Sequence, residues 1–161
     1  MKLYHGSLTP SVEQPDLSQC YPATDFGKGF YATTSFEQAK KWALLKQKRL
    51  QATDAYVSEY EMDDRVLRSD KYIIRVFTGA ADDWLQFVTD NRKGRQSEFY
   101  DLVMGPVAND SLYATLLLYE QEVLSAATAI EQLKTHKLFD QLSFHSDKAV
   151  QTLRFIKSIV I

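Results

Sequence analysis

Two short segments near the start of the chain carry the residues best suited to hold a small ligand. In the first, His5 precedes Gly6, so a neutral imidazole that can donate and accept hydrogen bonds stands beside a residue without a Cβ. The second, Asp25 to Ser35, has two glycines around Lys28 and then Tyr31, an aromatic residue able to stack on a flat ring. Each segment alone is more typical of an ordinary glycine turn beside a strand.

The glycines of the second segment do not form either of two common nucleotide-binding fingerprints. Gly29 follows the lysine where a P-loop has serine or threonine, so a P-loop is excluded. The third glycine of the dinucleotide fingerprint is replaced by Ala32. Further on, Trp42 falls on a predicted helix, where its spacing with Ala39 and Ala43 favours packing in the core.

Composition narrows the class of protein. The 161 residues, 45% of them hydrophobic, predict a single domain over residues 1–161 with a real core. A net charge of -2 gives no overall attraction to nucleic acid or to an anionic membrane. The lone Cys20 and the absence of an N-terminal apolar stretch favour a reducing, cytoplasmic location. The three histidines and one cysteine have no metal-ligand spacing, so no metal site is expected.

Strand and helix patterns alternate irregularly along the chain, which favours an α+β fold over a parallel doubly wound sheet. Ser35 to Gln38 fits a capping box at the start of a helix, and Asn109 to Ser111 offers a second helix cap. The predicted strands are residues 2–5, 29–33, 55–61, 72–77, 102–108, 141–145 and 154–161. One predicted helix starts at residue 35, and the others cover residues 81–91, 112–122, 124–137 and 147–153.

The two opening segments together resemble the NAD-binding core of the ADP-ribosyltransferases, in the branch of the poly(ADP-ribose) polymerases and diphtheria toxin. Leu3 to Ser7 resembles the L-x-H-G-T strand of that branch, and Gly27 to Trp42 its G-K-G-I-Y-F…S-A-N-Y segment. Gln141 to Ile159 resembles its third segment, which begins with a glutamate. The whole chain also resembles the bacterial family labelled domain of unknown function 3990. The resemblance implies two small antiparallel sheets with flanking helices around an NAD cleft.

The resemblance assigns a role to each matching position. His5 matches the histidine that binds the ribose of NAD, and Gly6 the residue whose backbone holds the nicotinamide carboxamide. Gly29 belongs to the second NAD-binding motif, Tyr31 matches the tyrosine that shapes the nicotinamide pocket, and Trp42 falls where a tyrosine stacks on the nicotinamide ring. No metal is implied, and NAD is the co-substrate.

Two positions depart from the family pattern. Ala39 replaces a serine that bonds the carboxamide, and Gln141 replaces the catalytic glutamate, so the motif is H-Y-Q rather than H-Y-E. Glutamine can accept a hydrogen bond but cannot carry negative charge or act as a general base. Another acid can take that place: Glu98, Asp101 and Asp110 are candidates, although their positions are more typical of a loop charge, a strand start and a helix cap.

The resemblance implies a mono-ADP-ribosyltransferase with His5, Tyr31 and Gln141 as its catalytic residues. The acceptor is a protein or a nucleic acid, and the implied role is the toxin of a bacterial toxin–antitoxin or phage-defence pair with a small antitoxin partner. The alternative is an inactive module that binds NAD, ADP-ribose or a protein. A basic loop that includes Arg92, Lys93 and Arg95 is either a phosphate or nucleic-acid contact or a solvated loop.

Overall fold

A computed structural model of the chain describes residues 1–95, 98–107, 110–134 and 140–161, with only the backbone at 110–113. These residues contain seven strands: β1 Lys2–Ser7, β2 Phe30–Thr33, β3 Tyr56–Glu61, β4 Ile74–Val76, β5 Leu102–Pro106, β6 Asp140–Phe144 and β7 Arg154–Val160. They also contain five α-helices: α1 Phe36–Leu50, α2 Asp82–Arg92, α3 Asp110–Glu120, α4 Ala126–Lys134 and α5 Asp147–Val150. The predicted α+β class is confirmed.

Local sequence signals account for the bounds of α1. The Ser35 side chain accepts a hydrogen bond from the backbone N–H of Gln38 at 3.3 Å, which confirms the predicted cap. The helix ends at Gln51, whose φ of 52° places it in the left-handed region that commonly stops helices. The cap fixes where the helix begins, and therefore which of its residues face β1.

The seven described strands hydrogen-bond as one mixed sheet in the order β4-β5-β6-β2-β1-β3-β7. Among the described strands, β4 and β5 are parallel, whereas the expectation was of two small, wholly antiparallel sheets. The parallel pair arises because α2 connects the two strands as a crossover. Strand pairing is thinnest at the centre: β1 and β2 share the single registered pair Tyr4↔Thr33, whereas β1 and β3 pair from Lys2↔Glu61 to Ser7↔Tyr56.

A hydrophobic core lies on each face of the sheet. Leu102 and Val103 are neighbours in β5 and belong to different cores, because successive side chains of a strand point to opposite faces. One core contains residues of α2, α3 and α4, including Trp84, whose Nε1 donates to the carbonyl of Pro106 at 3.2 Å. The other contains Leu3 together with residues of β2, β3 and β6. Among the residues that the structure describes, no helix has the length and apolar character needed to cross a membrane.

Candidate active site

A cavity of about 1190 Å³ opens beside the thin β1–β2 seam. Its lining comes from β1, β2, the first four turns of α1, the long segment between β1 and β2, and the start of β6. The volume is at or above the upper end for small-molecule sites, so a ligand as large as a dinucleotide fits. The lining includes all six residues that the family resemblance assigns to NAD binding or catalysis: His5, Gly6, Gly29, Tyr31, Trp42 and Gln141.

His5 spans the gap between β1 and β2 with its side chain. Its Nδ1 lies 2.6 Å from the carbonyl oxygen of Tyr31. A carbonyl only accepts, so Nδ1 carries the proton and, in the neutral ring, Nε2 is left as an acceptor. Burial and the nearby charge of Lys46 lower the pKa of His5 to about 4. At neutral pH the cavity therefore holds an uncharged imidazole of defined tautomer.

Gly6 is where β1 meets α1. A Cβ on this residue would lie 2.1 Å from the carbonyl oxygen of Ala39, so only glycine permits the contact. The missing Cβ of Gly6 thus permits a close contact with a helix backbone, and Ala39, at the position of the family serine, is buried in the same contact. The Gly6 carbonyl accepts a hydrogen bond from Nζ of Lys46 at 3.3 Å, which brings a cation to the wall of the cavity.

The hydroxyl of Tyr31 holds the turn that follows Asp25. It donates to the carbonyl of Gly27 at 2.7 Å and accepts from the backbone N–H of Phe26 at 2.9 Å. Oγ1 of Thr24 lies 2.8 Å from the same hydroxyl. Burial raises the pKa of Tyr31, so the hydroxyl stays protonated. Tyr31 therefore shapes the cavity through its hydrogen bonds as well as through its ring.

Gly29 lets β2 approach the end of β6. A Cβ there would lie 2.8 Å from Nδ1 of His145 and from the carbonyl oxygen of Phe144. His145 in turn bonds the carbonyl of Lys28 through Nδ1 at 2.8 Å. The second glycine of the motif thus sets the packing at one end of the cavity.

Trp42 lies at the rim of the cavity with 37% of its surface exposed. The core packing that its spacing favoured is therefore wrong, since Ala39 and Ala43 alone of that face are buried. Nζ of Lys46, one helical turn further along α1, lies 5.7 Å from the centre of the Trp42 ring. An indole partly open to the cavity is available to stack on a ligand ring.

Gln141 is nearly buried, with 7% exposure, and lies opposite Thr33 on β2. Its Nε2 donates to Oδ2 of Asp25 at 3.4 Å. Asp25 is 6% exposed and also lines the cavity. Sequence reasoning missed this carboxylate, and the available signal was its place as the acid that opens the glycine segment.

Two of the acids that the sequence offered instead, Asp101 and Glu98, are not in the cavity lining. Asp101 is fully buried, where it pairs with Nζ of Lys148 at 2.8 Å and accepts from the Ser146 hydroxyl at 2.6 Å, so it holds α5 against the sheet. Glu98 accepts a hydrogen bond from the Tyr100 hydroxyl. The side chain of Asp110 lies outside the described residues.

Cations of α1, rather than those of the predicted basic loop, face the cavity. Arg92 pairs with Glu120 at 3.4 Å, and Nζ of Lys93 donates to the Glu120 carbonyl at 3.2 Å. Neither residue lines the cavity, and Arg95 does not either. The cationic side chains in its lining are Lys41, Lys46 and Arg49.

The fold and the cavity define an α+β protein with a candidate site for a nucleotide-sized ligand. The chain belongs to the family described as Protein of unknown function (DUF3990), whose model matches residues 1–155. The predicted membership of that family is thereby confirmed. No curated protein matches the chain significantly.

Proposed function

We propose that the protein is a mono-ADP-ribosyltransferase that transfers ADP-ribose from NAD to a protein or nucleic-acid acceptor. The observation that carries the proposal is the shared cavity lining of His5, Gly6, Gly29, Tyr31, Trp42 and Gln141. These residues come from three well-separated parts of the chain, so they line one cavity because of the fold and not because they are neighbours in the sequence. Their roles were assigned from sequence resemblance alone, independently of the cavity.

The thin seam between β1 and β2 supports the split-sheet version of the fold. On one side lie β4, β5, β6 and β2, and on the other β1, β3 and β7. One registered pair joins the two groups, and the cavity lies beside it. A sheet divided in this way leaves room for a ligand between strands that would otherwise pair along their whole length.

The residues of the cavity fit the parts of NAD. Nε2 of His5 is an acceptor for a ribose hydroxyl, since Nδ1 donates to Tyr31. The partly exposed ring of Trp42 suits the flat nicotinamide. Lys41 and Arg49, two further cations of the lining, supply positive charge for the two phosphates.

The reaction breaks the bond between C1′ of the ribose and the nicotinamide nitrogen, and the bonding electron pair leaves with neutral nicotinamide. An acceptor atom then forms its bond to C1′ and loses its proton. Positive charge develops on the ribose before the new bond is complete. A fixed acceptor oxygen near that ribose orients it and stabilises the charge, and Oε1 of Gln141 is our candidate for this role.

A second candidate function is an NAD- or ADP-ribose-binding protein without transferase activity. The observation that favours it is the neutral side chain of Gln141 at the position of the family glutamate. The packing of Ala39 under Gly6, where the family has a serine, also removes one contact with the carboxamide. The loss of the glutamate charge weakens catalysis more than binding.

The biological setting that we propose is the toxin of a toxin–antitoxin or phage-defence pair, with a small protein as antitoxin. The resemblance to the ADP-ribosyltransferases is its support. Growth inhibition on expression, lost in His5→Ala, is the expected phenotype.

The decisive experiment measures nicotinamide release from NAD by the purified protein and transfer of labelled ADP-ribose to a lysate. Release and transfer by the wild type, with both lost in His5→Ala, are expected for the transferase. If NAD raises the melting temperature but is not consumed, the binding protein is supported and the transferase is excluded. If NAD neither binds nor reacts, both functions are wrong.

A further inference from the structure

The buried pair of Asp25 and Gln141 fixes which way the glutamine amide points. A carboxylate only accepts hydrogen bonds, so the nitrogen of the amide faces Oδ2 of Asp25, 3.4 Å away. The oxygen Oε1 consequently points away from Asp25. Because both residues line the cavity, a hydrogen-bond acceptor and a negative charge lie side by side at its wall.

We propose that Asp25 and Gln141 act as one unit that does the work of the single family glutamate. A glutamate at this position both accepts a hydrogen bond from the ribose and supplies negative charge. In this chain the two tasks are divided: Oε1 of Gln141 contacts the ribose, and Asp25 is a positioning residue that orients the amide and provides the charge. This inference rests on the proposed transferase function.

Tyr31 extends the unit to a third residue, because its hydroxyl bonds the residues on both sides of Asp25. It bonds the Thr24 hydroxyl at 2.8 Å and the backbone N–H of Phe26 at 2.9 Å. The residues before and after Asp25 are thereby fixed to β2, the strand that pairs with β6 and Gln141. The carboxylate is therefore held by the same strand that positions its glutamine partner.

The buried position of the carboxylate strengthens its effect. At 6% exposure Asp25 is largely shielded from water, and electrostatic interactions inside a protein are stronger than in bulk solvent. A charge one amide away from the ribose still stabilises positive charge there. Asp54, a carboxylate that is exposed to solvent and does not line the cavity, lacks this shielding and serves as a control.

The test is a set of charge exchanges read out as kcat and KM for nicotinamide release. Asp25→Asn lowers kcat about 100-fold, the usual loss on removing one electrostatic stabiliser, with little change in KM. Gln141→Glu alone does not raise kcat, because two carboxylates this close share one proton and the net charge of the pair stays at -1. The double variant Asp25→Asn/Gln141→Glu, which moves the charge to position 141, recovers kcat to within about ten-fold of wild type. The control Asp54→Asn leaves both constants unchanged.

Several results overturn the proposal while leaving the transferase intact. They are a wild-type kcat in Asp25→Asn, a ten-fold or larger gain in Gln141→Glu alone, or a double variant no better than Asp25→Asn. If Asp25→Asn does not fold, Gln141→Glu decides, because a site that merely lacks a charge gains from it. If the wild type releases no nicotinamide, the transferase itself is wrong and this inference falls with it.

Discussion

The hydrogen bond between Nδ1 of His5 and the carbonyl of Tyr31, 2.6 Å long, begins where the backbone pairing of β1 and β2 stops. Tyr4 and Thr33 form the single registered pair of these two strands, and the next residue of β1, His5, contacts β2 through its side chain instead. His5 thus closes the sheet and faces the cavity at once. Stability and ligand binding are therefore coupled through one imidazole.

The first prediction concerns pH. The pKa of His5 is lowered to about 4 in the folded protein, so between pH 6.5 and 4 the unfolded chain binds a proton that the folded protein does not. The free energy of unfolding therefore falls by up to about 3 kcal/mol as the pH is lowered through this range, and above pH 6.5 none of it is lost. In His5→Gln, whose side chain does not titrate, urea unfolding at pH 7 and pH 4.5 is expected to lack this part of the pH dependence. His145, whose pKa is also lowered, titrates in both proteins and cancels in the difference. An identical pH dependence in the two proteins would contradict the prediction.

The second prediction concerns the contact between β1 and α1. Gly6→Ala puts a Cβ 2.1 Å from the Ala39 carbonyl oxygen, which is backbone and cannot move aside. Overpacking of this kind costs about 1–3 kcal/mol, measured as a lower urea midpoint. Gly79→Ala is the matched control, because its Cβ meets nothing within 4 Å. Equal midpoints for the two variants would argue against the contact.

The third prediction concerns the turn held by Tyr31. Tyr31→Phe keeps the ring but removes the hydroxyl that bonds the Phe26 amide and the Gly27 carbonyl. Losing those partners costs about 1–3 kcal/mol. Amide hydrogen exchange of Phe26 is expected to quicken. Tyr21→Phe, at a side chain 70% exposed, leaves that rate unchanged, and equal rates in both variants would refute the role of the hydroxyl.

The fourth prediction separates the phosphate end of the ligand from the nicotinamide end. Arg49→Met removes a cation from the cavity wall and weakens ADP-ribose binding about ten-fold, the value of one charged hydrogen bond. Calorimetric titration with free nicotinamide is expected to show no change. Lys48→Met, at the neighbouring position of α1 but outside the cavity lining, is the control. Loss of nicotinamide affinity in Arg49→Met would assign the arginine to a different part of the site.

Local signals made most of the fold predictable from the sequence. Ser35 marks the start of α1 and is the cap found there, and β-branched and aromatic runs located the strands. The order of strands in the sheet was not predictable without a template, because it depends on which distant edges meet. The pairing of Thr33 with Gln141 joins residues more than a hundred positions apart, and no periodicity encodes it.

The candidate site was predicted only in part, because some of its residues meet through contacts between distant parts of the chain. His5, Tyr31 and Gln141 followed from motifs, whereas Asp25 enters the site through a contact with a residue 116 positions away. The helical spacing of Trp42 favoured core packing, which is wrong, because spacing reports which side chains share a face and not whether a cavity lies next to that face. Lys46 and Arg49 belong to no motif, so the sequence did not indicate that they line the cavity.

The strand order also governs when the site can form during protein synthesis. β2 lies between β1 and β6, and β6 ends at Phe144, so β2 has an unpaired edge until residue 144 has left the ribosome. Gln141 and its contact with Asp25 become available at the same moment. Domains generally fold as units once their long-range partners are available. Any activity of the cavity therefore starts only after β6 has emerged, and a ribosome-bound fragment ending before β6 is expected to be inactive.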